Sequence, residues 1–290
     1  MTDYKIISDS TADLPLDLIE ELDVHIIPML FTVDGSDYLD SPYDPQLPTH
    51  DFYELLRAGK MSNTTQINIE TFKDEFIPFL EKGLDILYIC FSSGLSSTYN
   101  SALIAATDLK EQFPERKIIV VDSLAASMGE GLLVYHAAML QKGGSSLEQT
   151  AAWVEENRLL LAHWFTVEDL NFLKRGGRVS GAAALVGTVL SIKPVLHVDD
   201  EGHLVPVEKL RGRRNSLAAL VSHMEKTATD PGEQVVFISH ADSLADAEYV
   251  EKLVREKFGV ETVYINYIGP IIGTHAGPGT IALFFLAKNK

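Results

Sequence analysis

Ser92-Ser93-Gly94-Leu95-Ser96-Ser97-Thr98 follows an apolar run, Ile86 to Phe91, and precedes a stretch with Ala102, Ala105, Ala106 and Leu109 at helical spacing. A small-residue turn between a buried strand and a helix offers hydroxyls and backbone N–H groups near a helix N-terminus. Both favour a carboxylate or a phosphate. The same serines also suit ordinary N-capping, and the spacing leaves both readings open. The turn lies where a nucleophile elbow would lie, but Phe91 stands in the place of the first glycine of G-x-S-x-G, so a hydrolase is not specified. Ser62-Asn63-Thr64-Thr65-Gln66 is a polar cluster with no helical or strand period, and a loop is expected there. Gly273-Thr274-His275-Ala276-Gly277-Pro278-Gly279-Thr280 gathers three glycines, a proline and a histidine between two apolar runs. Those glycines are expected where the backbone approaches a neighbour closely or needs a positive φ.

Other chemistries find little support. There is no Walker A sequence, no G-x-G-x-x-G after a strand and no H-E-x-x-H. The nine histidines have no close paired spacing, so no metal is expected. With 24 basic against 41 acidic residues the net charge is −17, which makes nucleic acid an unfavourable partner. One window departs from that balance: Lys174 to Arg214 holds eight basic and four acidic residues, and Leu170 to Val198 holds no acid. It reads either as a solvated face or as a docking surface for an acidic partner or a phosphate-bearing ligand.

The elements that must position these residues are those of a folded α/β protein. The chain has 290 residues, 46% of them hydrophobic and 22% charged, enough for a sizeable core and one or two domains. Ile6-Ile7-Ser8 and His25 to Phe31 read as strands, with a helix from Leu14 to Leu22 between them. Strand, turn, helix and strand over Ile86 to Val121 make a βαβ crossover, and doubly apolar strands suggest a covered parallel sheet. Val235 to Ser239 is a strand. The helix after it carries Ala247, Val250, Val254 and Phe258, is capped by Asp242 or Ser243 and ends at Gly259. Thr262 to Ile268 runs extended, and a long helix is expected over Leu147 to Leu161. A boundary near 158–165 divides the chain into an N-terminal α/β domain, 1–160, and a C-terminal α/β domain, 161–290. The single Cys90 cannot form an internal disulfide, and no leader or membrane-spanning run is evident. Val179 to Ile192 falls short of the roughly 18 residues a span needs. A cytoplasmic protein without integral membrane association is expected.

Six motifs occur in order along the chain: Asp9-Ser10-Thr11, Thr64-Thr65-Gln66, Phe91 to Thr98, Leu173-Lys174-Arg175-Gly176-Gly177-Arg178-Val179-Ser180, Ile192-Lys193-Pro194 and Gly273 to Gly279. Together they resemble the DegV family, the bacterial fatty acid-binding subunits of the fatty acid kinase system. The resemblance implies a two-domain DegV-like (EDD) α/β fold. Its N-terminal sheet is mostly parallel with flanking helices, and the ligand, one long-chain fatty acid, lies between the domains. It implies no cofactor and no chemistry of the chain's own. A separate ATP-dependent fatty acid kinase subunit phosphorylates the bound acid, giving an acyl-phosphate for phospholipid synthesis. Carried over by motif, Ser93, with Gly94 in the same turn, holds the carboxylate. Thr64 contacts it from the second motif, with Thr65 in reserve, because Thr65 replaces the family's usual serine. His275 completes the network, and Arg175, Arg178 and Arg211 face the kinase.

A fatty acid must be enclosed, since each buried methylene is worth about 0.8 kcal/mol. Val179 to Ile192, with Ala183, Leu185, Val186 and Leu190, is a candidate wall of the acyl tunnel, and so is the run from Ile281 to Leu286. Both also suit plain core. The alternatives are an acyl hydrolase using Ser93 and His275, with Asp9 as an available third member, and a carrier of another anionic lipid.

Overall fold

A computed structural model describes residues 3–179 and 192–288. The first part contains β1 (Tyr4–Asp9), β2 (His25–Ile27), β3 (Met29–Val33), β4 (Ser36–Asp40), β5 (Ser62–Thr65), β6 (Asp85–Cys90) and β7 (Ile118–Asp122). Strands β2-β1-β6-β7 form a wholly parallel sheet, and β4-β3-β5 form a small antiparallel one. Strand β6 is buried at every residue, as helices on both faces of a parallel sheet require. The expected strand His25 to Phe31 is two strands. Pro28 has no N–H to give a ladder, and the chain changes sheets there. Asp34-Gly35, both at positive φ, close the tight hairpin between β3 and β4. The helix expected from Leu14 begins at Leu16, after Pro15.

The polar cluster expected as a loop is β5. Its two threonines suit a strand, and Thr64 and Thr65 pair in register with Phe31 and Leu30 of β3. The helix expected over Leu147 to Leu161 spans Leu147–Asn157. It opens on a capping box between Ser146 and Gln149, and Leu161 already begins a strand.

That strand, β8 (Leu161–Thr166), opens the second sheet with β9 (Ile192–Val198), β10 (Leu204–Arg211), β11 (Val235–His240), β12 (Thr262–Tyr267) and β13 (Ile281–Leu286), in the order β10-β9-β8-β13-β11-β12. Only β11 and β12 run parallel, joined by the Leu244–Phe258 helix, which ends at Gly259 with φ 72°. Period-2 alternation divides this sheet's residues between two environments. Ala162, Trp164, Ile281, Leu283 and Phe285 join a core with the Arg213–Thr227 and Leu244–Phe258 helices. Phe165, Ala282 and Phe284 face the other way, into the core continuous with the first sheet. The Met128–Lys142 helix bridges the sheets. Its Glu130 is fully buried against the hydroxyls of Ser8 and Thr11, 2.8 Å from each, and burial raises its pKa well above the carboxylate range. No described helix is long and apolar enough to cross a membrane.

Candidate functional site

Strand order in the parallel sheet reverses between β1 and β6, and a crevice opens at the carboxyl ends of strands flanking such a switch point. The loop after β6 is the Ser92–Ser97 turn. Polar contacts from this side reach across to the second sheet's side of the molecule. Ser92 donates to the Gly202 carbonyl at 2.9 Å, Tyr53 to the Ile268 carbonyl at 2.7 Å, and the Ser127 and Ser239 hydroxyls meet at 2.9 Å. Along this seam lies a cavity of about 600 Å³, well within the range of ligand sites.

Its interior is apolar. Met29 of β3, Phe165 of β8, Ala282 and Phe284 of β13, and Ile268 and Ile271 line it and are all buried. Register explains the pairing: Ala282 stands opposite Phe165, and Phe284 opposite His163, on one face of the sheet. His163 is 3% exposed and meets the Phe284 ring edge-on at 5.1 Å. Ile281, expected as tunnel wall, is corrected. It is fully buried in the opposite core, one residue out of phase with Ala282. Ala183, Leu185, Val186 and Leu190 lie outside the described residues.

The mouth is polar. Thr64, Thr65, Ser93, Gly94, Arg178 and His275 all line the cavity, and Thr65, Ser93 and Arg178 are exposed. Thr64 Oγ1 lies 2.9 Å from His275 Nε2. Burial, aided by the Arg178 charge, lowers the His275 pKa to about 4, so the imidazole is neutral at pH 7. Its Nδ1 is buried without a hydrogen-bond partner among the described residues, and a Cβ on Gly176 would lie 2.5 Å from it. The glycines around His275 behave as composition suggests. Gly277 and Gly279 have φ 79°, and a side chain at Gly273 would collide with the Tyr53 hydroxyl.

The turn departs from one expectation. Its backbone N–H groups are already engaged: Ser93 N donates to Asp122 Oδ1 at 3.1 Å and Gly94 N to Ser92 Oγ at 3.2 Å. The helix itself starts only at Thr98. What the turn offers the cavity is therefore hydroxyl rather than amide donors. Gly94 serves close approach, since a Cβ there would stand 2.7 Å from the Glu201 carbonyl oxygen.

The arginines divide. Arg178 lines the cavity and donates to the Leu95 and Gly176 carbonyls, while Arg175 stacks over the Phe172 ring at 4.5 Å. Arg211 is exposed at the end of β10, outside the cavity lining. None of the three pairs with a carboxylate among the described residues, whereas Lys193 pairs with Glu168 and Arg213 with Asp246. Ser127, which sequence reasoning missed, lines the cavity at φ 55° and donates to Asp13 Oδ2 at 2.5 Å or to Ser239. No residue spacing signals such a strained serine. Among the described residues the three potential metal-ligand side chains that group together, His50, Glu54 and Asp242, are already paired, Glu54 and Asp242 with the Arg57 guanidinium and His50 with Asp242 at 3.0 Å.

An apolar cavity with a hydroxyl-lined mouth, closed over by an α/β fold, has the shape and polarity that suit an amphipathic molecule. The family model described as an uncharacterised protein of the DegV family matches residues 3–288. The chain belongs to the DegV family. A DegV domain-containing protein of Clostridium perfringens is 44% identical over 290 residues, covering 100% of this chain and 99% of that one. The structure of a fatty acid-binding DegV family protein from Thermus thermophilus superposes with a TM-score of 0.87 at 30% identity, covering 99% of this chain and 100% of that one. A DegV lipid-binding protein from Thermotoga maritima gives a TM-score of 0.87 at 29% identity, with 99% of both chains covered.

Proposed function

We propose that this protein encloses one long-chain fatty acid and presents its carboxylate to a separate ATP-dependent kinase, which makes the acyl-phosphate. The observation that carries the reading is the cavity: buried apolar side chains within, hydroxyls and one neutral histidine at the opening. The tail lies against Phe165, Ala282 and Phe284, and the carboxylate accepts hydrogen bonds from the hydroxyls of Thr64 and Ser93, with Thr65 beside them. His275 Nε2, held by Thr64, orients that network. The binding of fatty acids by the Thermus thermophilus relative supports the choice of ligand.

In this reading residues 1–160 and 161–290 act as two domains with the ligand between them, and the chain works in the cytoplasm. Arg175, Arg178 and Arg211, exposed and without carboxylate partners among the described residues, favour an acidic surface on the kinase. An acyl hydrolase has less support. His275 Nε2 is held by Thr64 rather than Ser93, no carboxylate among the described residues orients Nδ1, and Asp9 is committed to Thr11, Tyr88 and the Phe91 N–H.

Native mass spectrometry of the purified full chain, followed by denaturing lipid extraction, tests the reading. One fatty acid per chain is expected. An empty protein that also fails to take up added palmitate would overturn it.

A further inference from the structure

A serine outside the Ser92–Ser97 turn has the geometry of a nucleophile. Ser127 follows β7 and residues 123–126 and immediately precedes the Met128–Lys142 helix. Its backbone stands at φ 55° and ψ −150°, at the edge of a region that glycine alone populates freely. A strained strand-to-helix corner of this kind is where hydrolases expose a nucleophilic serine, and it takes small residues two before and two after that serine. Ala125 and Gly129 hold those places, and a Cβ on Gly129 would stand 2.4 Å from His163 Nε2. An alanine and a glycine at this spacing are too common to single out a serine; the backbone angles do that.

The side chain is equipped to react. Ser127 lines the large cavity and is 4% exposed. Its hydroxyl donates to Asp13 Oδ2 at 2.5 Å or to Ser239 Oγ at 2.9 Å. Asp13 is held by the Gly269 N–H, which donates to its other oxygen at 2.8 Å. Burial, opposed by the Ser127 and Gly269 hydrogen bonds and aided by Asp40 and Asp9, raises the Asp13 pKa well above 3.8. Once ionised, a carboxylate of raised pKa is a stronger base than an exposed one. Met128 is the first residue of the helix, so its N–H has no acceptor within the helix and stands where such a corner places an oxyanion donor. Asp13 also lines a neighbouring cavity of about 270 Å³, together with Asp9 and Asp40. Three carboxyls there disfavour an anionic leaving group, such as a phosphate, and tolerate an uncharged alcohol.

We propose that Ser127, with Asp13 as its base, is the nucleophile of an esterase site for neutral esters of an apolar acid, the acyl chain lying in the large cavity and the alcohol toward Asp13. Ser127 Oγ adds to the ester carbonyl carbon and its proton passes to Asp13, while the carbonyl electron pair moves onto oxygen beside the Met128 N–H. As that pair returns, the bond to the alcohol oxygen breaks, Asp13 protonates the departing oxygen, and an acyl ester remains on Ser127. Water then adds to the acyl carbon and gives a proton to Asp13, which passes it to Ser127 as the acid is released. One ester and one water thus give one acid and one alcohol. Neither Ser93 nor His275 takes part, so the step is independent of a hydrolase built on those two. Only its sequel rests on the fatty acid reading above: the released carboxylate, repelled by Asp9, Asp13 and Asp40, resettles at the Thr64–Ser93–His275 mouth.

The full chain is mixed with p-nitrophenyl decanoate and, separately, with an alkyl fluorophosphonate. A burst of about one p-nitrophenol per chain followed by slower turnover is expected, with the trapped acyl group and the phosphonate both mapped to Ser127 by peptide mass spectrometry. Ser127→Gly adopts the same backbone angles without strain and should abolish both burst and label. Asp13→Asn keeps the shape of the side chain but not its basicity, and should slow acylation about a hundredfold. Thermal melts confirm that the variants fold. A burst that survives Ser127→Gly, or label found on another residue, overturns the site, as does a folded chain that gives neither burst nor label. Palmitate uptake measured on the same sample separates the two readings. Uptake without burst or label removes the esterase and leaves the carrier reading standing; burst and label at Ser127 in a chain that takes no palmitate do the reverse.

Discussion

The interior of the large cavity and its mouth are built in different ways. Two neighbouring strands, β8 and β13, supply much of the interior, and each gives alternate residues to the cavity and to the core behind it. The mouth is assembled from one residue here and one there: Thr64 on a sheet edge, Ser93 on a turn, His275 on the Pro270–Ala276 helix, and Arg178 just beyond the Leu170–Gly176 helix. A strand can change which face a residue occupies only by shifting register, so the interior is shaped by packing as a unit. The mouth can change one side chain at a time. In the proposed reading, size selection therefore belongs to the interior, and recognition of the polar end belongs to the mouth.

That contrast can be broken most sharply at adjacent residues of β13. Ile281→Ala is expected to cost about 2–5 kcal/mol of stability, because it leaves a hole in the core against the two outer helices. Fatty acid affinity measured on the still-folded variant should stay within about twofold of the parent, since Ile281 does not face the cavity. Ala282→Phe should do the opposite. It fills the cavity opposite Phe165 and lowers lipid occupancy by roughly a hundredfold, about 2.7 kcal/mol, with a smaller change in melting temperature. If both variants lose lipid equally, the two faces of β13 have been misassigned.

At the mouth the expected effects are smaller. Ser93→Ala removes one exposed hydroxyl donor to a charged group and should weaken palmitate binding about tenfold without altering the melt. A lost fold instead would give Ser93 a structural role.

The smallest expected effect lies away from the cavity and concerns pH. Asp40 Oδ2 is shut off from solvent without a hydrogen-bond partner among the described residues, and burial, with Asp9 nearby, outweighs hydrogen bonds from Ser10 and Ile271 to the carboxyl and raises the Asp40 pKa from 3.8 to about 7. A raised acid pKa means that the folded chain holds a proton the unfolded chain has released. That contribution is fully present below about pH 4 and is lost as pH rises through 7. His275, lowered to about 4, acts in the other direction: the folded chain resists a proton that the unfolded chain accepts, so stability falls as pH drops from 6.5 toward 4. Asp40→Asn should raise stability by about 1 kcal/mol at pH 8, with little change at pH 4, in denaturant titrations at the two values. An equal gain at both would remove the titration argument.

Much of the mouth was legible because its residues announce themselves by type. Serines after a buried strand and a histidine among glycines are unusual, and the motif resemblance placed them together. The parallel sheet was legible too, since β6 is apolar on both faces. The interior was less so. Val, Ile and Phe in alternation report that a strand has two buried faces but not which face holds a cavity, so Ile281 was expected where Ala282 and Phe284 stand. Thr64 and Thr65 read as loop because polar residues on an edge strand carry no hydrophobic period. The amide groups of the Ser93–Gly94 turn looked free until the fold brought Asp122 beneath Ser93, a contact 29 residues away in the chain. Ser127 depends on backbone strain, which composition does not encode.

The most direct test of the central claim is where the polar end of a bound fatty acid sits. Palmitate labelled with carbon-13 at the carboxyl, or at the terminal methyl, can be bound to the protein and its neighbours mapped by NMR. The account predicts contacts from the carboxyl carbon to Thr64, Ser93 and His275, and from the methyl to the interior, among residues such as Ala282 and Phe284. A carboxyl carbon found beside Phe284, or a methyl group at the Thr64–His275 pair, would contradict it.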